Sequence, residues 1–175
     1  MPPEDPDHQK WEEWKEIEWF PPYSVSSMGR IRNDDTGRIL ETNLNQYQVL
    51  FVGLMRDGRQ HHRSVAKLVA HAFIDPPYRS FDTPINLNGD RRDCRVENLA
   101  LRPRWFAVKY NQQFRERYDY GFPNRVRNEK TGEIYENSWE CAIANGLLER
   151  DLVMSIFNRT YVWPLYVTFK AIPEY

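Results

Sequence analysis

Proline pairs and glycine turns cut this chain into short pieces, and that punctuation limits what it can fold into. Pro21-Pro22 stops any helix leaving residues 11–20, Pro76-Pro77 does the same after Phe73, and turns at Met28-Gly29, Asp34-Asp35-Thr36-Gly37 and Asp57-Gly58 divide the stretches between. Proline supplies no backbone N–H and clashes with the preceding turn, while glycine enters left-handed backbone at little steric cost. Short strands and helices remain. At 175 residues the chain has room for one ordinary domain or several small modules.

A hydrophobic fraction of 41% with 14% aromatics supports real but modest cores. No apolar run approaches the roughly 18–20 residues that cross a bilayer, so no membrane partner is expected. Residues 1–10 are proline-bearing, acidic and apolar-poor, which predicts a flexible leader rather than a signal peptide, and a cytoplasmic location. The two cysteines, Cys94 and Cys141, cannot form a disulfide framework or a four-thiolate zinc site and are expected as free thiols. The net charge of −1 hides a gradient. Acids crowd the start, from Glu4 to Glu18, whereas arginines and a lysine crowd positions 91–127, so the middle is the phosphate-facing candidate.

Local patterns give the elements. Residues 11–20, rich in tryptophan and glutamate, suit a short helix or an edge strand, and 23–26, 30–32 and 38–40 read as a meander of short antiparallel strands. Residues 48–55 are β-rich, Asp57-Gly58 supplies a hairpin turn, and 60–63 can pair back. Val65, Leu68, Val69, Ala72 and Phe73 recur at helical spacing, predicting a helix over 65–73 with one face on the meander. Residues 104–117 are helix-compatible and arginine-rich. In the last third, strands at 125–128 and 134–135 flank a turn, Ser138 is expected to cap a helix over 139–145, Gly146 breaks it, and 149–158 forms a second helix. A closing strand is expected within 163–170.

Three blocks carry a family resemblance. They are Glu13-Trp14-Lys15-Glu16-Ile17 with Tyr23-Ser24-Val25-Ser26-Ser27-Met28-Gly29-Arg30-Ile31-Arg32; His62-Arg63-Ser64-Val65-Ala66 with Phe73; and residues 85–99, where Gly89, Asp90, Asn98 and Leu99 keep the pattern. In these motifs the chain resembles phage intron-encoded HNH homing endonucleases with a NUMOD-type N-terminal module. The resemblance implies an α+β fold. Its expected parts are a flexible leader (1–10), a small antiparallel β meander (11–60), a degenerate ββα-metal (HNH) finger running into a basic helix (61–117), a linker (118–124) and a C-terminal helix-turn-helix DNA-binding module with short strands (125–175).

The family's chemistry needs a histidine to take a proton from water and hard oxygen ligands for a divalent ion. Asn86 stands at the histidine position. A neutral amide is not basic near neutral pH, and such a base contributes roughly 10²–10⁴ in rate. Ile85 stands where a metal-binding acid is common, Asn88 where another acid precedes the glycine, and Ala107 where an ungapped count puts the later asparagine. Asn111, one turn on, is the metal ligand only if the alignment slips and the site is active. Asn98 is expected to pin the loop through backbone hydrogen bonds. Among the histidines, His62 is expected in a hydrogen-bonded structural role, His71 in packing, and His61 on the opposite strand face from His62. No catalytic residue and no cofactor are therefore assigned, with Mg²⁺ or Mn²⁺ required only by an active nuclease.

The leading expectation is a monomeric double-stranded DNA-binding protein of a phage-infected bacterial cell, derived from a homing endonuclease, without nuclease activity, acting as a regulator or competitor at a DNA site. Arg91, Arg92, Arg95, Arg102, Arg104, Lys109, Arg115 and Arg117 are the phosphate candidates, and Arg150, Asn158 and Arg159 at the ends of the second C-terminal helix the base-reading candidates. Leu152, Val153 and Ile156 are expected to face the core. Two alternatives stand beside it: an atypical metal-dependent nickase, and a module whose stretch from Trp11 to Phe20 contacts a phage or host protein.

Overall fold

The computed structural model describes residues 12–116 and 124–173; the leader, Trp11, Arg117 and linker positions 118–123 lie outside the described residues. The described residues form two units. The first holds 12–86 and Asp90–Pro103, and the second holds Leu87–Gly89 and the residues from Arg104 onward.

In the first unit, β1 (Trp14–Glu16), β2 (Tyr23–Ser26) and β3 (Ile31–Asn33) form an antiparallel sheet in that order, so the 11–20 stretch contributes an edge strand. Ile17 and Phe20 turn into the core. Residues 38–40 add only an isolated Arg32↔Ile39 bridge, not the strand expected there. A second sheet runs β4 (Asn43–Leu44), β5 (Leu50–Arg56) and β6 (Arg59–Ser64), with β4 unanticipated from sequence because two residues carry no alternation signal. The β5–β6 turn has Asp57 at φ 51° and Gly58 at φ 71°, the doubly left-handed geometry that suits a two-residue hairpin.

Helix α1 (Val65–Phe73) begins where the Ser64 side chain accepts from the Lys67 N–H. It buries Val65, Ala66, Val69 and Ala70 against β2, β5 and β6, while Leu68, Ala72 and Phe73 are partly buried at the margin. Full burial of each valine stabilises by about 1.5–3 kcal/mol before chain entropy is counted. The last ladder of this unit pairs β7 (Thr83–Asn86) with β8 (Leu99–Arg102), and α1 touches both strands.

The second unit begins with α2 (Arg104–Arg115) and continues through β9 (Val126–Asn128), β10 (Ile134–Tyr135), α3 (Ser138–Ala144), α4 (Glu149–Asn158) and β11 (Phe169–Ala171), with sheet order β10-β9-β11. Its core gathers Val126, Cys141, Leu147, Leu152, Val162 and Phe169. Helix α2 joins it through rings. Trp105 stacks on Trp163 at 5.2 Å, and Phe106, Tyr110, Phe114 and Trp139 follow one another at 6.2, 5.4 and 5.1 Å. Gln113 spans the join: its Nε2 donates to the Leu147 carbonyl at 3.2 Å and its Oε1 accepts the Glu149 N–H at 3.1 Å. Leu148 at the α4 N-cap has no side-chain acceptor to offer, so Gln113 caps α4 from another helix.

Two local expectations are corrected. The cap of α3 is Asn137, whose side chain accepts the Glu140 N–H at 2.8 Å; Ser138 is the first helical residue, and its buried hydroxyl donates to Glu149 at 2.7 Å. Asparagine and serine are nearly equal caps, and a tertiary partner for Ser138 decides between them. The closing strand covers only 169–171, because the chain first turns back on itself through a Val162↔Val167 bridge.

Candidate nucleic-acid interface and the 85–99 segment

Strands β7 and β8 bring the two ends of the 85–99 segment together, with Asn86 opposite Leu99. Between them the chain makes a turn at 90–93 and a 3₁₀ turn at Val96–Asn98. Asn86 is 6% exposed and Asn98 7% exposed, and both point their amides at one acceptor. Asn86 Nδ2 donates to the Asp93 carbonyl at 2.8 Å, and Asn98 Nδ2 donates to the same oxygen at 2.9 Å. The residue at the histidine position therefore shares the role expected for Asn98. Ile85, 1% exposed, sits in the protein interior. A carboxylate in that pocket would have to be desolvated, so burial favours an apolar side chain there.

The loop is also tied to the β2–β3 turn. Val96 N–H donates to the Ser27 carbonyl at 2.8 Å, and Gly29, at φ 83°, lies so near Cys94 that an added Cβ would meet it at 3.2 Å. Burial, helped by the Asp93 charge, pushes the Cys94 thiol up to about 11. Asp93 grips Arg95 in a two-point pair, Nε and Nη2 each 2.8 Å from a carboxylate oxygen, while Glu97 takes Nη1 at 3.0 Å. This pairing drives the guanidinium's pKa further above its ordinary value.

The remaining positions at issue lie in the second unit. The short piece Leu87–Gly89 is held there by the Tyr110 hydroxyl, which donates to the Leu87 carbonyl at 2.8 Å, and by Phe114, which fills the space a Gly89 side chain would need. Asn88 is exposed; Ala107 is buried in α2; Asn111 donates its amide back to the Ala107 carbonyl at 2.9 Å. Among the described residues no three His, Cys, Asp or Glu side chains are grouped to hold a metal ion. His62 is exposed beside an open cavity of about 430 Å³, without the side-chain hydrogen bond expected of it among the described contacts. His61 sits edge-on to Phe20 at 5.6 Å and His71 edge-on to Trp19 at 4.4 Å.

The cations proposed from sequence separate by environment. Arg102 is 7% exposed and donates to the Leu101 carbonyl at 2.8 Å, which corrects its assignment as a phosphate contact. Leu101 and Arg102 are both buried at the end of β8, against the usual alternation of faces along a strand. Arg91 donates to the Tyr47 carbonyl at 3.0 Å and Arg92 to Gln48 at 2.8 Å, so both brace the loop against the segment before β5. Arg104, Lys109 and Arg115 lie exposed on α2, with Lys109 Nζ 5.3 Å from the Trp105 ring centre. Arg150, Asn158 and Arg159 are exposed on α4 and at its end, while Leu152 and Val153 are buried and Ile156 partly so, as expected.

Sequence reasoning missed a second cationic group. Arg56 pairs across the hairpin with Arg59, and Arg63, opposite Val52, lies on the same sheet face. Like charges directly opposed weaken a ladder, and here Arg56 is partly offset by Asp57, 3.4 Å away. The guanidinium carbons of Arg63 and Arg56 lie 4.9 and 5.9 Å from the Phe20 ring centre. The period-two cations at 59 and 63 flanking His61 were the available signal.

Comparison with known proteins places these features. Residues 12–54 match the NUMOD4 motif. The chain is 32% identical over 111 residues to an uncharacterized HNH endonuclease, L247, of Acanthamoeba polyphaga mimivirus, covering 60% of this chain and 26% of that protein. It thus spans about a quarter of that relative's length. The fold is similar to that of the HNH homing endonuclease I-HmuI, solved in a study of its DNA binding and cleavage, with a TM-score of 0.53 at 19% identity, covering 93% of this chain and 99% of the other.

Proposed function

We propose, from the HNH homing endonuclease family that these three likenesses support, that this chain binds double-stranded DNA without cutting it and acts as a regulator or competitor at a DNA site. The observation that carries this reading is the Asn86 amide. It stands where the family places its general base, is buried, and spends its donor on the Asp93 carbonyl, as Asn98 does. The degenerate finger on this reading is scaffold: a loop held by two amides that keeps the first unit in shape. DNA contact falls to the exposed cations. Arg56, Arg59 and Arg63 on the β5–β6 hairpin and Arg104, Lys109 and Arg115 on α2 offer charge to phosphates, and the hairpin is two-stranded beyond its pairing with β4 at Leu50 and Phe51, narrow enough there for a major groove. The α3–α4 pair serves as the helix-turn-helix reader, with α4 toward the bases.

Selection of bound fragments from a random duplex pool, followed by incubation of the winner with Mg²⁺ or Mn²⁺, tests both halves. The expected result is binding whose affinity falls steeply with salt, without nicking. Metal-dependent nicking would replace this reading with that of an atypical nickase. Absence of salt-dependent binding would favour protein recognition, for which Trp19 is the exposed aromatic of the first strand region.

A further inference from the structure

Helix α4 shows solvent an unusual mixture of side chains. At 100° per residue, Arg150, Met154, Phe157 and Asn158 fall within an arc of roughly 100°, opposite the buried Leu152 and flanked by the buried Val153 on one side and the exposed Asp151 on the other. Met154 is 51% and Phe157 67% exposed, so the centre of this face is apolar. One end of this face is cationic: Arg150 is the second residue of the helix and lies within the arc, whereas the C-cap Arg159 falls on the far side of the helix from it. Arg159 holds a left-handed backbone, φ 54°, at a helix end where glycine is the usual and less costly residue. An arginine kept there supplies a charge that glycine would not.

We propose that α4 reads its target chiefly through thymine 5-methyl groups, with Met154 and Phe157 as the contacts and Arg150 on a flanking phosphate. This rests on the reading that the chain binds duplex DNA. On the floor of the major groove the thymine methyl is the apolar group presented by the base edges, and an apolar side chain gains there what a polar one would not. Asn158, at the edge of the arc, suits the adenine paired with such a thymine, since a carboxamide matches adenine N6 and N7.

The test uses the full chain and a duplex selected from a random pool. Affinity is measured for that duplex and for the same duplex with deoxyuridine in place of thymine, which removes the methyl alone. Each contacted methyl should contribute about fourfold, and two about fifteenfold. The double substitution Met154→Ala and Phe157→Ala should erase that difference while leaving salt-dependent binding. Circular dichroism checks that the variant folds, and the DNA substitution needs no variant. Equal affinity for thymine and deoxyuridine duplexes overturns the proposal and leaves DNA binding standing. No duplex selected and no salt-dependent binding overturns the underlying reading. A change in oligomeric state by the double variant, with DNA affinity untouched, overturns the proposal by assigning this face to a second copy.

Discussion

Removing the two amides that meet at Asp93 tests whether Asn86 and Asn98 together hold the loop. Asn86 and Asn98 donate to one carbonyl at 2.8 and 2.9 Å, and both side chains are buried. Asn86→Ala or Asn98→Ala leaves the other donor in place, so each should forfeit about one net hydrogen bond, roughly 0.5–1.5 kcal/mol, besides the contacts of the deleted amide. The double variant strips both donors from that oxygen. Its desolvation cost, about 1–3 kcal/mol, is then incurred only in the double variant, which should be less stable than the sum of the singles by roughly 1 kcal/mol. Urea unfolding followed by tryptophan fluorescence measures this, provided that the m-value stays constant across the four proteins. Losses that add within about 0.3–0.5 kcal/mol, or an Asn86→Ala variant as stable as the parent, would refute the shared clamp.

Other outcomes follow from the same contacts. Gln113→Ala should cost about 1 kcal/mol, the usual loss for a helix cap, and Gln113→Glu, which keeps the acceptor for the Glu149 N–H, should recover part of it in the same unfolding assay. Glu12 is held below its ordinary 4.5: burial opposes ionisation, but hydrogen bonds from Arg30 and Ser26 and the charges of Arg30 and Arg32 outweigh it. Asp34 is held below 3.8, first by the Ser24 hydroxyl and then by Arg32 against a smaller burial effect. A carboxylate more acidic when folded stabilises above its unfolded pKa and loses that contribution as pH falls through the folded one, so stability should decline below about pH 4.5. Glu12→Gln with Asp34→Asn should flatten that decline in a pH series of melting temperatures. Burial pushes Cys94 up to about 11 and Cys141 up to about 12, so a thiol reagent at pH 8 should leave both untouched in the native protein and label two per chain in urea.

Elements whose reason is local were legible in the sequence. The 3.6-residue spacing of Val65, Val69 and their neighbours gave α1, the left-handed Asp57-Gly58 pair gave the β5–β6 hairpin, and Glu149–Asn158 was recognised as a helix end to end. The motif spacing at 13–32 and 85–99 carried the resemblance to HNH homing endonucleases, because turn glycines such as Gly29 leave a recognisable trace when both φ and a neighbour demand them. What the side chains do with one another was not legible. Arg102 reads as a surface cation, yet it is buried beside Leu101 at the end of β8; Arg56 and Arg59 are separated by a turn, and only pairing sets them face to face.

The sequence by itself determined that the 85–99 segment holds no histidine and opens on Ile85 and Asn86, since residue identity is a covalent fact. Only the tertiary structure decided what the side chains do: Asn86 spends its amide on Asp93, Ile85 lies in the interior, and Gln113 caps a helix 36 positions along the chain. Those outcomes depend on which donors and acceptors folding brings within about 3 Å, and no local pattern encodes that distance.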